Sequence, residues 1–141
     1  WGLPPALDMD YEKNVQSAIR EVVRVGLAES SHDVGEGGLA VALAECCSGG
    51  MGAAVEVKSA LRPELALFHE GPSRVLVSTA SPEAVEKIAQ KFGVECLRLG
   101  VTMKGQLRID DGSKTLLEVP VAQLREVWEQ ALEGLLYPVH V

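Results

Sequence analysis

The sequence predicts an α+β domain, a mixed or antiparallel β-sheet covered by helices, on three observations. Segments with three- and four-residue apolar spacing are separated by short β-branched runs. Their order is helix, helix, strand, strand, helix, strands, helix, without the strict alternation that builds a parallel doubly wound sheet. The composition, 141 residues with 47% hydrophobic and 23% charged, supplies one core without disulfides and is too apolar for a disordered segment. Residues 1–141 therefore read as a single domain, with 1–8, opening Trp1-Gly2-Leu3-Pro4-Pro5, as the remnant of a linker.

The first helix is expected over residues 10–26. Tyr11, Val15, Ala18, Ile19, Val22 and Val23 mark its apolar face, Asp8 and Asp10 precede its first turn, and Gly26 stops it. Residues 39–47 are apolar nearly all round and rich in alanine, the pattern of a buried helix; Gly37-Gly38 open it and Ser48-Gly49-Gly50 close it. A short strand over 53–57 and a β-branched, well-buried one over 74–79 flank a loop with a helical turn at 64–67. Ser81-Pro82 starts a helix over about 82–92, because proline fits the first helical position and serine caps it. Strands follow at 96–101, 106–109 and 115–118, with Asp110-Asp111-Gly112 as a hairpin turn, and Pro120 opens a last helix over 121–135.

Thirteen Lys plus Arg against 20 Asp plus Glu leave a net charge of −7, which repels a phosphate backbone and argues against a nucleic-acid partner. No apolar run is long enough to span a membrane, and no secretory leader is visible. Cys46 and Cys47 are adjacent and Cys96 stands apart, so the three cysteines read as buried thiols of a reducing cytosol.

One segment departs from what a core requires. Ser31-His32-Asp33-Val34-Gly35-Glu36-Gly37-Gly38 gathers an imidazole, two carboxylates and three glycines immediately before the apolar helix. Glycines permit left-handed backbone or close approach, and the free amides and dipole of a helix start favour an anion such as phosphate. Asp33 and Glu36 would repel a bare phosphate unless Mg²⁺ bridges them, and the plainer alternative is that one of them caps the helix. His32, too, reads more readily as a hydrogen-bonded structural residue than as a catalyst. The segment carries neither a zinc-ligand spacing nor a Walker or dinucleotide fingerprint. A second polar loop, Phe68-His69-Glu70-Gly71-Pro72-Ser73-Arg74, precedes a strand; there Arg74 can pair with Glu70 or with a ligand phosphate.

The run Ser31-His32-Asp33-Val34-Gly35-Glu36-Gly37-Gly38-Leu39-Ala40-Val41-Ala42-Leu43-Ala44-Glu45, with Pro4-Pro5-Ala6-Leu7-Asp8 before it and Phe68-His69-Glu70 and Ser73-Arg74-Val75-Leu76-Val77-Ser78 after it, resembles the C-terminal-type domain of the synthetase subunit of phosphoribosylformylglycinamidine synthases, within the aminoimidazole ribonucleotide synthetase superfamily. The resemblance spans nearly the whole chain. It implies the fold of the aminoimidazole ribonucleotide synthetase C-terminal domain and a cytoplasmic ligase of de novo purine synthesis. That enzyme uses ATP, Mg²⁺ and glutamine-derived ammonia to convert formylglycinamide ribonucleotide to the amidine through an iminophosphate-type intermediate.

It further implies that this domain is part of a larger synthetase. The histidines, ATP lysine and principal Mg²⁺ carboxylates would lie in N-terminal-type domains; the other partners would be a glutaminase and a small accessory subunit. The isolated domain is then expected to be inactive, without bound cofactor, and open to self-association. His32, Asp33, Gly35, Glu36, Gly37, Gly38, Glu70 and Arg74 are the ligand- or phosphate-binding candidates, with Asp33 and Glu36 as Mg²⁺ candidates.

Two departures qualify the resemblance. Glu70-Gly71-Pro72 stands where the family's first C-terminal-type domain resembles Glu-Ser-Gln, which points to the second copy, and Gly35 stands where serine is common. The alternatives are a non-catalytic scaffold in the same enzyme, or the equivalent domain of an aminoimidazole ribonucleotide synthetase, a selenophosphate synthetase or a thiamine-phosphate kinase.

Overall fold

The computed structural model describes residues 6–47 and 49–136, side chains of 133–135 excepted, so that most of the expected linker remnant, and Ser48 of the helix-closing triplet, lie outside the described residues. Two compact units appear, one made of residues up to 43 and 60–99, the other of 44–59 and 100 onward.

In the first unit α1 (Met9–Arg24) is started by Asp8, whose carboxylate accepts from the amides of Asp10 and Tyr11, both at 3.0 Å, and it buries Val15, Ala18 and Val22 along one stripe. α4 (Pro82–Lys91) packs against α1 and buries Val85 and Ala89. α2 (Gly38–Cys46), most of which belongs to this unit, buries Gly38, Ala40, Ala42 and Leu43, as its all-round apolar sequence requires. α3 (Pro63–Phe68) buries Ala66 and Leu67.

The sequence reading missed a strand here. β1 (Ser30–Asp33) pairs antiparallel with β3 (Val75–Ser78) in a two-stranded sheet, with Ser30 opposite Ser78 and their hydroxyls 2.8 Å apart. β3 is half-buried along its length rather than well buried, because it pairs along a single edge.

The second unit holds a mixed sheet in the order β4-β2-β5-β6, from β2 (Met51–Glu56), β4 (Gly100–Lys104), β5 (Gln106–Asp111) and β6 (Lys114–Pro120). β2 and β5 run parallel and the other neighbours antiparallel. β5 alternates inward and outward, and its inward pair, Leu107 and Ile109, is the most completely buried in this unit. The strand expected over 96–101 starts only at Gly100. There the absence of a Cβ lets the Ala54 backbone carbonyl pass, a contact any side chain would block. The hairpin turns one residue later than expected, with Asp111 opposite Lys114, and a bulge at Ile109/Asp110 absorbs the shift. Pro120 closes β6 instead of opening α5 (Val121–Leu136).

The cysteines are not buried: Cys46 and Cys96 are exposed and Cys47 is half-exposed, and none of the three is in a disulfide. The first two lie in and just after the last turn of α2, and Cys96 lies in the irregular segment after α4. Partial desolvation still raises all three thiol pKa values above the ordinary range. No described helix is long and apolar enough to cross a membrane.

Candidate functional site

The segment singled out in the sequence divides into a strand and a turn. Ser31, His32 and Asp33 belong to β1, and pairing with β3 fixes them, His32 opposite Leu76 and Asp33 opposite Val75. The ring of His32 is half-buried, with Nδ1 2.6 Å from the Asp33 carbonyl oxygen. Val34 is buried, and its amide donates to the Arg74 carbonyl at 3.0 Å, so the strand pair leads directly into the turn.

The chain then turns through Gly35, Glu36 and Gly37 into α2. The Gly38 amide donates to the Gly35 carbonyl at 3.1 Å, and Gly37 and Gly38 both take left-handed backbone, φ +78° and +69°. Gly38 is needed for a second reason. A Cβ there would stand 2.7 Å from the His69 carbonyl and 2.8 Å from that of Leu67, so only glycine lets the end of α3 and the following loop lie against the start of α2.

The same loop supplies the carboxylate that the helix start needs. Glu70 Oε1 accepts from the Gly37 amide at 2.9 Å, across 33 residues of sequence. The cap therefore comes neither from Asp33, which ends β1, nor from Glu36, which is exposed in the turn. Asp33 instead leans over Gly35, with Oδ2 3.3 Å from where a Cβ would be.

Arg74 does not pair with Glu70. Its guanidinium folds back on its own loop, donating to the His69 carbonyl at 2.6 Å and the Gly71 carbonyl at 3.0 Å, with Nη1 3.2 Å from His69 Nε2. Burial lowers the Arg74 pKa; burial first, then the adjacent guanidinium, lowers that of His69. The Gly71 amide donates to His69 Nδ1 at 3.2 Å, which favours the neutral ring.

Two residues of the second polar loop, named in the sequence only as part of it, have definite roles in this arrangement. Ser73 takes φ +62°, and its hydroxyl donates to Glu12 of α1 at 2.5 Å, lowering the Glu12 pKa. His69 braces Arg74. A polar loop placed between a helix and a strand was the available signal for His69; for Ser73, 61 residues from Glu12, there was none.

All eight candidates thus lie on two adjoining segments, the β1–α2 turn and the α3–β3 loop. Asp33, Glu36 and Glu70 are exposed carboxylates beside a helix start, and Arg74 is half-buried. Among the described residues, no three His, Cys, Asp or Glu side chains come together as a metal cage.

Residues 2–111 match the family described as AIR synthase related protein, C-terminal domain. The chain belongs to this family. It is 41% identical over 139 residues to the phosphoribosylformylglycinamidine synthase subunit PurL of Moorella thermoacetica, covering 96% of this chain and 19% of that protein. To the PurL subunit of Anaeromyxobacter sp. (strain Fw109-5) it is 40% identical over 148 residues, again 96% of this chain and 19% of the relative. The chain therefore spans about a fifth of the length of these curated relatives.

Among solved structures, Thermotoga maritima PurL complexed with ATP superposes with a TM-score of 0.78 at 26% identity, over 87% of this chain and 23% of that one. PurLQS from the same organism gives 0.76 at 26% identity, over 84% of this chain and 22% of that one. The expected α+β fold of the family's C-terminal domain is the one observed, its four-stranded sheet being mixed.

Proposed function

We propose that this chain is a single C-terminal-type domain of the synthetase subunit of a phosphoribosylformylglycinamidine synthase. The whole enzyme is a cytoplasmic, ATP-dependent C–N ligase that makes the amidine of formylglycinamide ribonucleotide with glutamine-derived ammonia. The likeness to PurL subunits along 96% of the chain is the observation that carries this reading. The other synthetase domains, a glutaminase and a small accessory subunit would be its partners.

Within that enzyme the β1–α2 turn and the α3–β3 loop would wall a phosphate-bearing cleft. The helix start offers amides and a positive dipole end at Gly37 and Gly38, and Arg74 supplies a cation behind them. Asp33 and Glu36 would hold Mg²⁺, which when bound would neutralise phosphate charge. Glu70 holds the two loops together by capping Gly37, and a phosphate approaching that amide would have to displace its carboxylate.

The same hydrogen bonds favour a second reading. The Gly37 amide is satisfied by Glu70 and the Gly38 amide by Gly35, as expected of a non-catalytic scaffold whose helix start binds nothing. The two readings separate in a full-length synthetase carrying this domain, by substituting alanine at Asp33 and Glu36 together. A cleft wall predicts a loss of kcat/KM for ATP of about tenfold or more at unchanged melting temperature; a scaffold predicts unchanged kinetics. Amidine formation by the isolated 141-residue chain would overturn both.

A further inference from the structure

α5 begins anchored and ends bare. Val121 is 4% exposed, and its amide donates to the Gly105 carbonyl at 3.0 Å. Trp128 and Leu132, seven and eleven residues on, lie on the same side of the helix as Val121 by the 3.6-residue repeat, yet are 77% and 66% exposed. Leu136 continues the row at 61%, Val127 flanks it at 66%, and Leu124 is half-buried. The apolar side that the first turn places on the sheet therefore runs outward for three more turns with no described cover. β6 and α5 lie beyond the residues that match the family model but within the likeness to PurL subunits, which runs along 96% of the chain, so the pairing below rests on that reading in one respect: it concerns the chain without the other synthetase domains.

We propose that this face binds a second copy of this chain, α5 against α5 across a two-fold axis near Trp128. Leu124, Trp128, Leu132 and Leu136 recur every fourth residue, forming an i±4 ridge. Two such ridges interdigitate at about −50° in the commonest mode of helix packing. A two-fold crossing at Trp128 sets Leu124 of each copy beside Leu132 of the other, so the surface complements itself. The exposed parts of Val127, Trp128, Leu132 and Leu136 amount to about 500 Å² per copy, at the upper end for a lone monomer. The pair would bury at most about 1,000 Å², the range of weak, reversible association rather than of a permanent dimer. Beside the ridge, Arg125 already pairs with Glu129 at 2.7 Å, so the face carries no concentrated field of one sign against a copy of itself. Opposition comes from the net charge of −7 on each chain, and salt should therefore strengthen the dimer.

Sedimentation equilibrium of the 141-residue chain from about 1 to 300 µM tests this. The expected result is a reversible monomer–dimer equilibrium that shifts toward dimer as sodium chloride rises. Trp128→Glu and Leu132→Glu should each weaken it by at least about 30-fold with unchanged far-ultraviolet circular dichroism, while Leu97→Glu, at an exposed apolar residue outside α5, leaves it intact. A chain monomeric throughout the range overturns the proposal and leaves the face to another occupant. A dimer that both α5 variants leave unmoved overturns it as well.

Discussion

α2 and α5 both begin on a buried residue, and from there they differ at every level. The start of α2 is held from three directions: the Gly35 carbonyl takes one amide, the Glu70 carboxylate takes another, and the Leu67 and His69 carbonyls press against Gly38. Its helix is short, and most of its first six residues are buried. α5 is longer, is fastened at Val121, and carries exposed Trp128, Leu132 and Leu136 outward. A helix start satisfied in this way is part of a fixed scaffold on which ligand groups can be placed accurately. A helix whose apolar side is uncovered owes most of its energy to whatever covers it.

That contrast can be broken at either end. The largest effect is expected at Gly38: Gly38→Val forces a β-branched residue into left-handed backbone and two carbonyls, and should cost about 3 kcal/mol or more in urea unfolding, enough to prevent folding at moderate temperature. Leu43→Ala, in the buried body of α2, should cost about 2–3 kcal/mol in the same measurement. Glu70→Ala removes a cap and should cost about 1 kcal/mol; amide exchange at Gly37 should accelerate while the rest of α2 stays protected.

Smaller still is the response to acid. His69 titrates below its ordinary value of 6.5, first through burial and then through Arg74, so the unfolded chain binds its proton more readily than the folded one. The stability His69 contributes is complete above about pH 6.5 and is lost as pH falls through the depressed folded value. His69→Gln should flatten the unfolding free energy between about pH 7 and 5 relative to the parent; an unchanged slope would mean that neither burial nor Arg74 shifts the ring's titration on folding. Trp128→Ser, measured where the chain is monomeric, should move stability by no more than about 0.5 kcal/mol, since an exposed side chain loses little on truncation.

How far the sequence could be read depended on the distance over which each feature is determined. α1 and α4 were legible because Val15, Ala18 and Val22, and Val85 and Ala89, carry the helical period locally, beside recognisable starts at Asp8 and Pro82. β1 was not, because Ser30-Ser31-His32-Asp33 has no apolar alternation, and its only reason to extend is a partner more than 40 residues away. The late start of β4 at Gly100 depends in the same way on the Ala54 carbonyl. Both halves of the candidate site could be picked out by composition, but not that Glu70 of one caps Gly37 of the other. The nearer carboxylates, Asp33 and Glu36, were the reasonable local candidates for that cap. The cysteines misled because small apolar context suggested burial, whereas Cys46 and Cys47 fall where α2 runs out.

The parallel pairing of β2 with β5 bears on how the chain folds. Between Glu56 and Gln106 lie α3, β3, α4 and β4, so the two neighbouring strands can meet only after that stretch has been drawn into a closed loop. The β5–β6 hairpin needs only a tight turn and can form early, whereas β2 must wait for a closure whose entropic cost grows with the logarithm of loop length. The order of events expected from connectivity is a two-stranded template first, with the upstream strand joining late to complete the middle of the sheet.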